Sequence, residues 1–102
     1  MKSLIVIVHG NVQQQLADRL RSLDQVHGFT FVQVEGHATY VEGDPLQSPR
    51  DQVVGYVPRV RVDILLDDPD VATVLAALRE TEGGLAEQGI YWVSAVEEHG
   101  RL

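Results

Sequence analysis

Four histidines stand at His9, His27, His37 and His99, and there is no cysteine. Thiolate metal sites, disulfides and cysteine nucleophiles are therefore all excluded. No pair of histidines has the spacing of a helical zinc motif such as HExxH. His37 differs from the others in its company: Tyr40, Glu42 and Asp44 follow within a few residues. Imidazole plus carboxylate is a donor set suited to zinc, nickel or copper(II), so His37 and Glu42 are the candidate metal ligands. Arg50, Arg59, Arg61 and Arg101 are the arginines that could surround an anion. No Ser-His-Asp or paired-carboxylate arrangement can be argued, so the chain reads as a binding protein rather than an enzyme.

The elements that must position these residues follow from periodicity. Residues 57–66 alternate strictly, with Val60, Val62, Ile64 and Leu66 on one side and Arg59, Arg61, Asp63 and Leu65 on the other. Such period-two patterning marks a strand whose two faces meet different surroundings. Residues 29–36 form the strand before it. Between them lies a polar stretch of roughly 20 residues, at about 36–56, far beyond the ~2–5 of an ordinary hairpin loop. Gly43, Pro45, Pro49 and Gly55 punctuate it against regular structure. The reading is a recognition loop, mobile until it meets a partner.

Residues 4–8 form a continuous apolar run, as in a central strand covered on both faces. His9, Gly10 and Asn11 break it, with Asn11 as the expected helix cap. Val12, Leu16, Leu20 and Leu23 then follow a helical period, predicting a helix over 12–23. Asp67, Asp68, Pro69 and Asp70 signal a second start, with an aspartate cap and proline in the first turn. Val71, Val74, Leu75 and Leu78 are its buried stripe, and Gly83 and Gly84 stop it after about residue 82. A fourth strand is predicted over 90–96, where Tyr91 and Trp92 serve packing.

The order is β-α-β-β-α-β in a single domain, residues 1–102. Its expected fold is α+β: a ferredoxin-like sandwich, with a four-stranded antiparallel sheet and both helices on one face. The right-handed crossover rule puts the first and third strands in the centre. The other face is then bare, and an apolar bare face is normally an interface. Arg61 and Asp63 on that side suggest charged pairing between subunits. Fifteen acidic residues against eight basic give a net charge of −7, which disfavours nucleic acid as a partner. The first apolar run is too short for a signal peptide or a membrane span, so a cytoplasmic protein without membrane insertion is expected.

These residues resemble the PII superfamily, the trimeric signalling proteins first known from nitrogen regulation. The run QVVGYVPRVRVDI at 52–64 is similar to the signature that closes the PII T-loop, VEG at 34–36 to its entry, and VSAVEE at 93–98 to its last strand. GFT at 28–30, EGH at 35–37, YWV at 91–93 and GRL at 100–102 resemble more closely a small PII-like family encoded beside heavy-metal efflux pumps. The resemblance implies a homotrimer with ligand clefts between subunits, near Gly36, His37, Arg59, Gly89 and Arg101. It also implies a nucleotide or divalent metal as ligand and, through the loop, a membrane transporter as partner. Some PII features are missing: Ile90 stands where PII has a lysine, Tyr40 where it has a glutamine, and the chain ends before a second arginine. Those losses remove charge-assisted bonds that hold a triphosphate.

A second resemblance concerns an enzyme on the same fold. GNVQ at 10–13 is similar to the start of the acylphosphatase signature, which implies a small hydrolase using a phosphate-cradling turn and an arginine. Here Gln14 replaces a glycine, and Arg19 comes one residue late. One residue along a helix turns a side chain by about 100°.

Overall fold

The computed structural model describes residues 1–37, 57–80 and 89–102. Its elements are β1 (Lys2–His9), a 3-10 turn (Gly10–Val12), α1 (Gln13–Arg21), β2 (Phe29–Gly36), β3 (Val57–Leu66), α2 (Asp70–Arg79) and β4 (Gly89–Ala95). All strand pairs are antiparallel, in the order β2-β3-β1-β4. The first and third strands are thus central, and the expected ferredoxin-like α+β architecture is met.

Strand alternation decides where the core sits. Leu4, Val6 and Val8 of β1 pair with Ile64, Val62 and Val60 of β3. With Leu66 they face Leu16 and Leu20 of α1 and Val74 and Leu78 of α2 in one buried cluster. Burying each such side chain contributes about 1.5–3 kcal/mol. Phe29 and Phe31 extend the cluster along β2, their rings edge to face with centroids 5.6 Å apart. Both helices pack on this one face.

Helix ends differ from the sequence reading for local reasons. The chain leaves β1 through a 3-10 turn, and the His9 imidazole, not Asn11, caps it: Nδ1 accepts from the Asn11 amide at 3.2 Å. α1 therefore begins at Gln13, with Val12 preceding it and no side-chain cap. It ends at Arg21, where the Ser22 hydroxyl donates to the Arg19 carbonyl at 2.6 Å, so Leu23 lies beyond the helix. At α2 the capping position belongs to Pro69, not to an aspartate. The Asp67 carbonyl accepts from the Asp70 amide at 2.9 Å, while the Asp68 carboxylate turns to the Met1 amino group at 2.6 Å. α2 stops at Arg79, before the expected residue 82. Gly83 and Gly84 lie outside the described residues. Among the described residues no helix is long and apolar enough to cross a membrane.

Candidate functional site

One end of the sheet gathers most of the expected site. Gly36, the last residue of β2, pairs with Val57 at the start of β3. Arg59 is matched with Val34 on one side and His9 on the other. Gly89 opens β4 opposite Val8, next to His9. Gly36, Arg59 and Gly89 therefore share the edge from which residues 37–56 depart. An open groove of about 420 Å³ adjoins it, lined by Gly10, Gln13, Gln33, Glu35, Pro58 and Arg59 among others.

The two glycines make room for different things. A Cβ at Gly36 would fall 2.5 Å from Nε and 2.6 Å from Cδ of Arg59. The half-buried Arg59 side chain thus lies directly across Gly36. A Cβ at Gly89 would meet backbone instead, 2.5 Å from the Ile7 carbonyl oxygen, and Val8 Cγ1 at 2.7 Å. Among the described residues the Arg59 guanidinium has no ion-pair or hydrogen-bond partner. The long segment beyond His37, residues 38–56, lies outside the described residues.

His37 follows Gly36 and is exposed. Its Nε2 stands 3.3 Å from Oε2 of Glu35. Glu35 is a companion of His37 that the sequence reading passes over in favour of Glu42. Strand alternation carries the signal, because it puts positions two apart on one side. Glu42, Tyr40 and Asp44 lie outside the described residues. Among the described residues no group of three or more His, Cys, Asp or Glu is arranged to hold a metal ion.

The tail that carries Arg101 leaves the sheet from the opposite end. β4 runs antiparallel to β1 and ends with Ala95 opposite Lys2. An eight-residue strand is roughly 25 Å long, so the tail after β4 starts at the far end of the sheet. His99 lines a second depression there with Met1, Ser3, His27, Gly28 and Asp67. His99 therefore lies at the end of the sheet away from Gly36, Arg59 and Gly89, and Arg101 follows it by two residues.

Arg19, the arginine of the hydrolase resemblance, donates from Nε to the Ala77 carbonyl of α2 at 3.3 Å. It ties the helices together. On the open face of the sheet, Arg61 bonds Asp63 through Nη2 at 2.9 Å and Nε at 3.2 Å. The carboxylate, by hydrogen bond and charge, holds the guanidinium even more firmly protonated than an ordinary arginine. That pair closes within one chain, so the charges expected to reach between subunits are already matched.

A family model described as a protein of unknown function, DUF3240, matches residues 2–102. Nitrogen regulatory protein P-II 2 of Methanothermobacter thermautotrophicus is 23% identical over 103 residues, spanning 100% of this chain and 89% of that protein. The crystal structure of a DUF3240 family protein from Shewanella baltica OS155 superposes with a TM-score of 0.75 at 18% identity, covering 99% of this chain and 94% of the other. That last likeness is one of fold.

Proposed function

The chain belongs to the DUF3240 family, and from that premise we propose that it is a PII-like regulatory protein that binds a small anion or a divalent metal and signals through residues 36–56. The observation that carries this reading is the position of Arg59. It is an arginine without a partner among the described residues, laid over Gly36 where the long segment leaves the sheet. A ligand bound there contacts the root of the segment and selects one of its conformations. The distant relative is named as a nitrogen regulatory protein, which is the same class of function.

The site is complete only between copies. His99 stands at one end of the sheet, with Arg101 two residues further along the chain, and Gly36, Arg59 and Gly89 stand at the other. A ring of three copies, as the PII resemblance implies, sets the tail of one against the loop root of the next. His37 with Glu35 offers the start of a metal site, to which Glu42 would add a second carboxylate. The nucleotide reading is weakened by Ile90, whose side chain cannot donate to a phosphate. The partner implied by the family resemblance is a metal-efflux transporter. The hydrolase alternative has less support, because Arg19 is spent on Ala77.

Isothermal titration with zinc, copper(II), ATP, ADP, AMP and bicarbonate tests this reading, repeated on His37→Ala and Arg101→Ala. Metal binding lost in His37→Ala alone assigns a metal sensor. Nucleotide binding lost in Arg101→Ala alone assigns an anion sensor whose site spans two copies. Tight binding indifferent to both substitutions would show the site to be elsewhere.

A further inference from the structure

We infer that Gly36 is the positioning residue for Arg59: it serves the site through the space it leaves for the guanidinium, not through its own backbone freedom. This rests on the anion-binding reading above for its ligand arm, but its geometric arm stands alone.

Glycine within a strand is costly, because it loses more conformational freedom on folding than other residues and packs no side chain. Such a residue usually serves a turn with positive φ. Gly36 has no such backbone: its φ lies outside the left-handed region, and it pairs in register with Val57. An alanine would be accommodated by the main chain. What an alanine could not share is the space of Arg59, whose Nε and Cδ would stand 2.5 and 2.6 Å from the new Cβ.

The obstacle is also of a particular kind. Those atoms, with Cγ at 3.3 Å, all belong to a flexible side chain and none to backbone, so the clash is relieved by rotating Arg59 away. Gly36→Ala is thus expected to leave the fold intact and move one guanidinium. Gly89 is the contrast, since its obstacle is the Ile7 carbonyl and cannot rotate.

A guanidinium binds phosphate or carboxylate through directed N–H bonds, and its value depends on where the fork points. Displacing it forfeits the pre-organisation while keeping the charge. Arg59 without Gly36 is then no better than a diffuse cation. The affinities should therefore be coupled: once one residue is replaced, replacing the other adds little.

The test has two arms. In NMR spectra of the ligand-free protein, the Arg59 Nε–Hε resonance reports where the side chain lies. In Gly36→Ala it should shift, with amides away from residues 34–37 and 57–60 unchanged. An unchanged resonance overturns the inference. In the second arm, ATP and bicarbonate are titrated into wild type, Gly36→Ala, Arg59→Ala and the double variant. For whichever anion binds, each single variant should lose about tenfold, the share of one charge-assisted bond, and the double variant no more. Loss in Arg59→Ala with full binding in Gly36→Ala overturns the positioning role alone. No loss in Arg59→Ala removes the anion reading, and the NMR arm then decides whether Gly36 sets the guanidinium.

Discussion

Arg61 of β3 lies over the indole of Trp92 in β4, its guanidinium carbon 5.7 Å from the ring centroid. The strand between them is β1, and Ile5 is the residue they enclose, matched with Asp63 on one side and Trp92 on the other. Ile5 is only 3% exposed although no helix covers that face. The stem of an arginine can shield apolar surface in this way while its head stays wet. Because Asp63 already holds the guanidinium, the face offers a neighbour mainly apolar surface: Val32, Leu65, Ile90 and Trp92 are all at least 40% exposed.

From this follows the first prediction, that the protein is a trimer closed over this face. Exposed apolar side chains in one patch mark an interface, and the edge strand β4 leaves its own hydrogen-bonding groups open as well. Light scattering coupled to size exclusion should give the mass of three chains, and Trp92→Glu should give monomers that retain their far-UV spectrum. A wild-type monomer at micromolar concentration would sink the trimer and the shared site with it.

Most of the sheet is legible in the amino-acid pattern. β2 and β3 fall on the expected residues because alternation of Val60, Val62, Ile64 and Leu66 and the punctuation at Gly36 and Pro58 are local signals. Helix ends are less legible. His9 caps the first turn only because β1 delivers its imidazole to the Asn11 amide, and Pro69 holds the cap position because Asp68 is drawn to Met1. The first is a local side-chain bond, and the second is a contact with a residue distant in sequence. At the site, Gly36, Arg59 and Gly89 share one sheet end because strand order and register put them there. The tail that carries Arg101 starts from the opposite end for the same reason. The hold of Arg59 over Gly36 is a side-chain direction, which no one-dimensional pattern carries.

Gly89→Ala is predicted to destabilise the fold where Gly36→Ala does not. Its new methyl would press on the Ile7 carbonyl and Val8 Cγ1, forcing β4 off β1. Overpacking of this kind costs about 1–3 kcal/mol. Urea unfolding should show a lower midpoint with an unchanged slope. Equal midpoints for wild type and Gly89→Ala would mean that the strands separate without penalty there.

Arg19→Ala should loosen helix packing without touching any chemistry. Its Nε bond to the Ala77 carbonyl joins α1 to α2, and removing it costs about 0.5–1.5 kcal/mol, the net worth of one ordinary hydrogen bond. Hydrolysis of benzoyl phosphate should be at background in both proteins. Turnover by the wild type that Arg19→Ala abolishes would revive the hydrolase reading.

The last prediction concerns pH. The Met1 amino group donates to Asp68 at 2.6 Å and holds its carboxyl below the usual aspartate range, aided by the charge of nearby Lys2 and opposed by partial burial. A carboxyl whose pKa is lower folded than unfolded means that the unfolded chain binds more protons across that window, so stability rises with pH there. The contribution of the pair is therefore fully present above the ordinary aspartate value, and it is lost as acid takes the pH down through the folded one. The pair is largely exposed, with 57% of the Asp68 side chain accessible, so solvent and salt screen it and the effect is small. Asp68→Asn should lower the melting temperature slightly at neutral pH and low salt. The two proteins should converge both on acidification and on raising salt. The Val96 amide also donates to the Met1 carbonyl at 3.2 Å, so hydrogen exchange at Val96 should quicken in Asp68→Asn as the first strand's start loosens. A difference in melting temperature that grows as the pH falls would reverse the sign argued here and show that the carboxylate is stabilised in the unfolded chain instead.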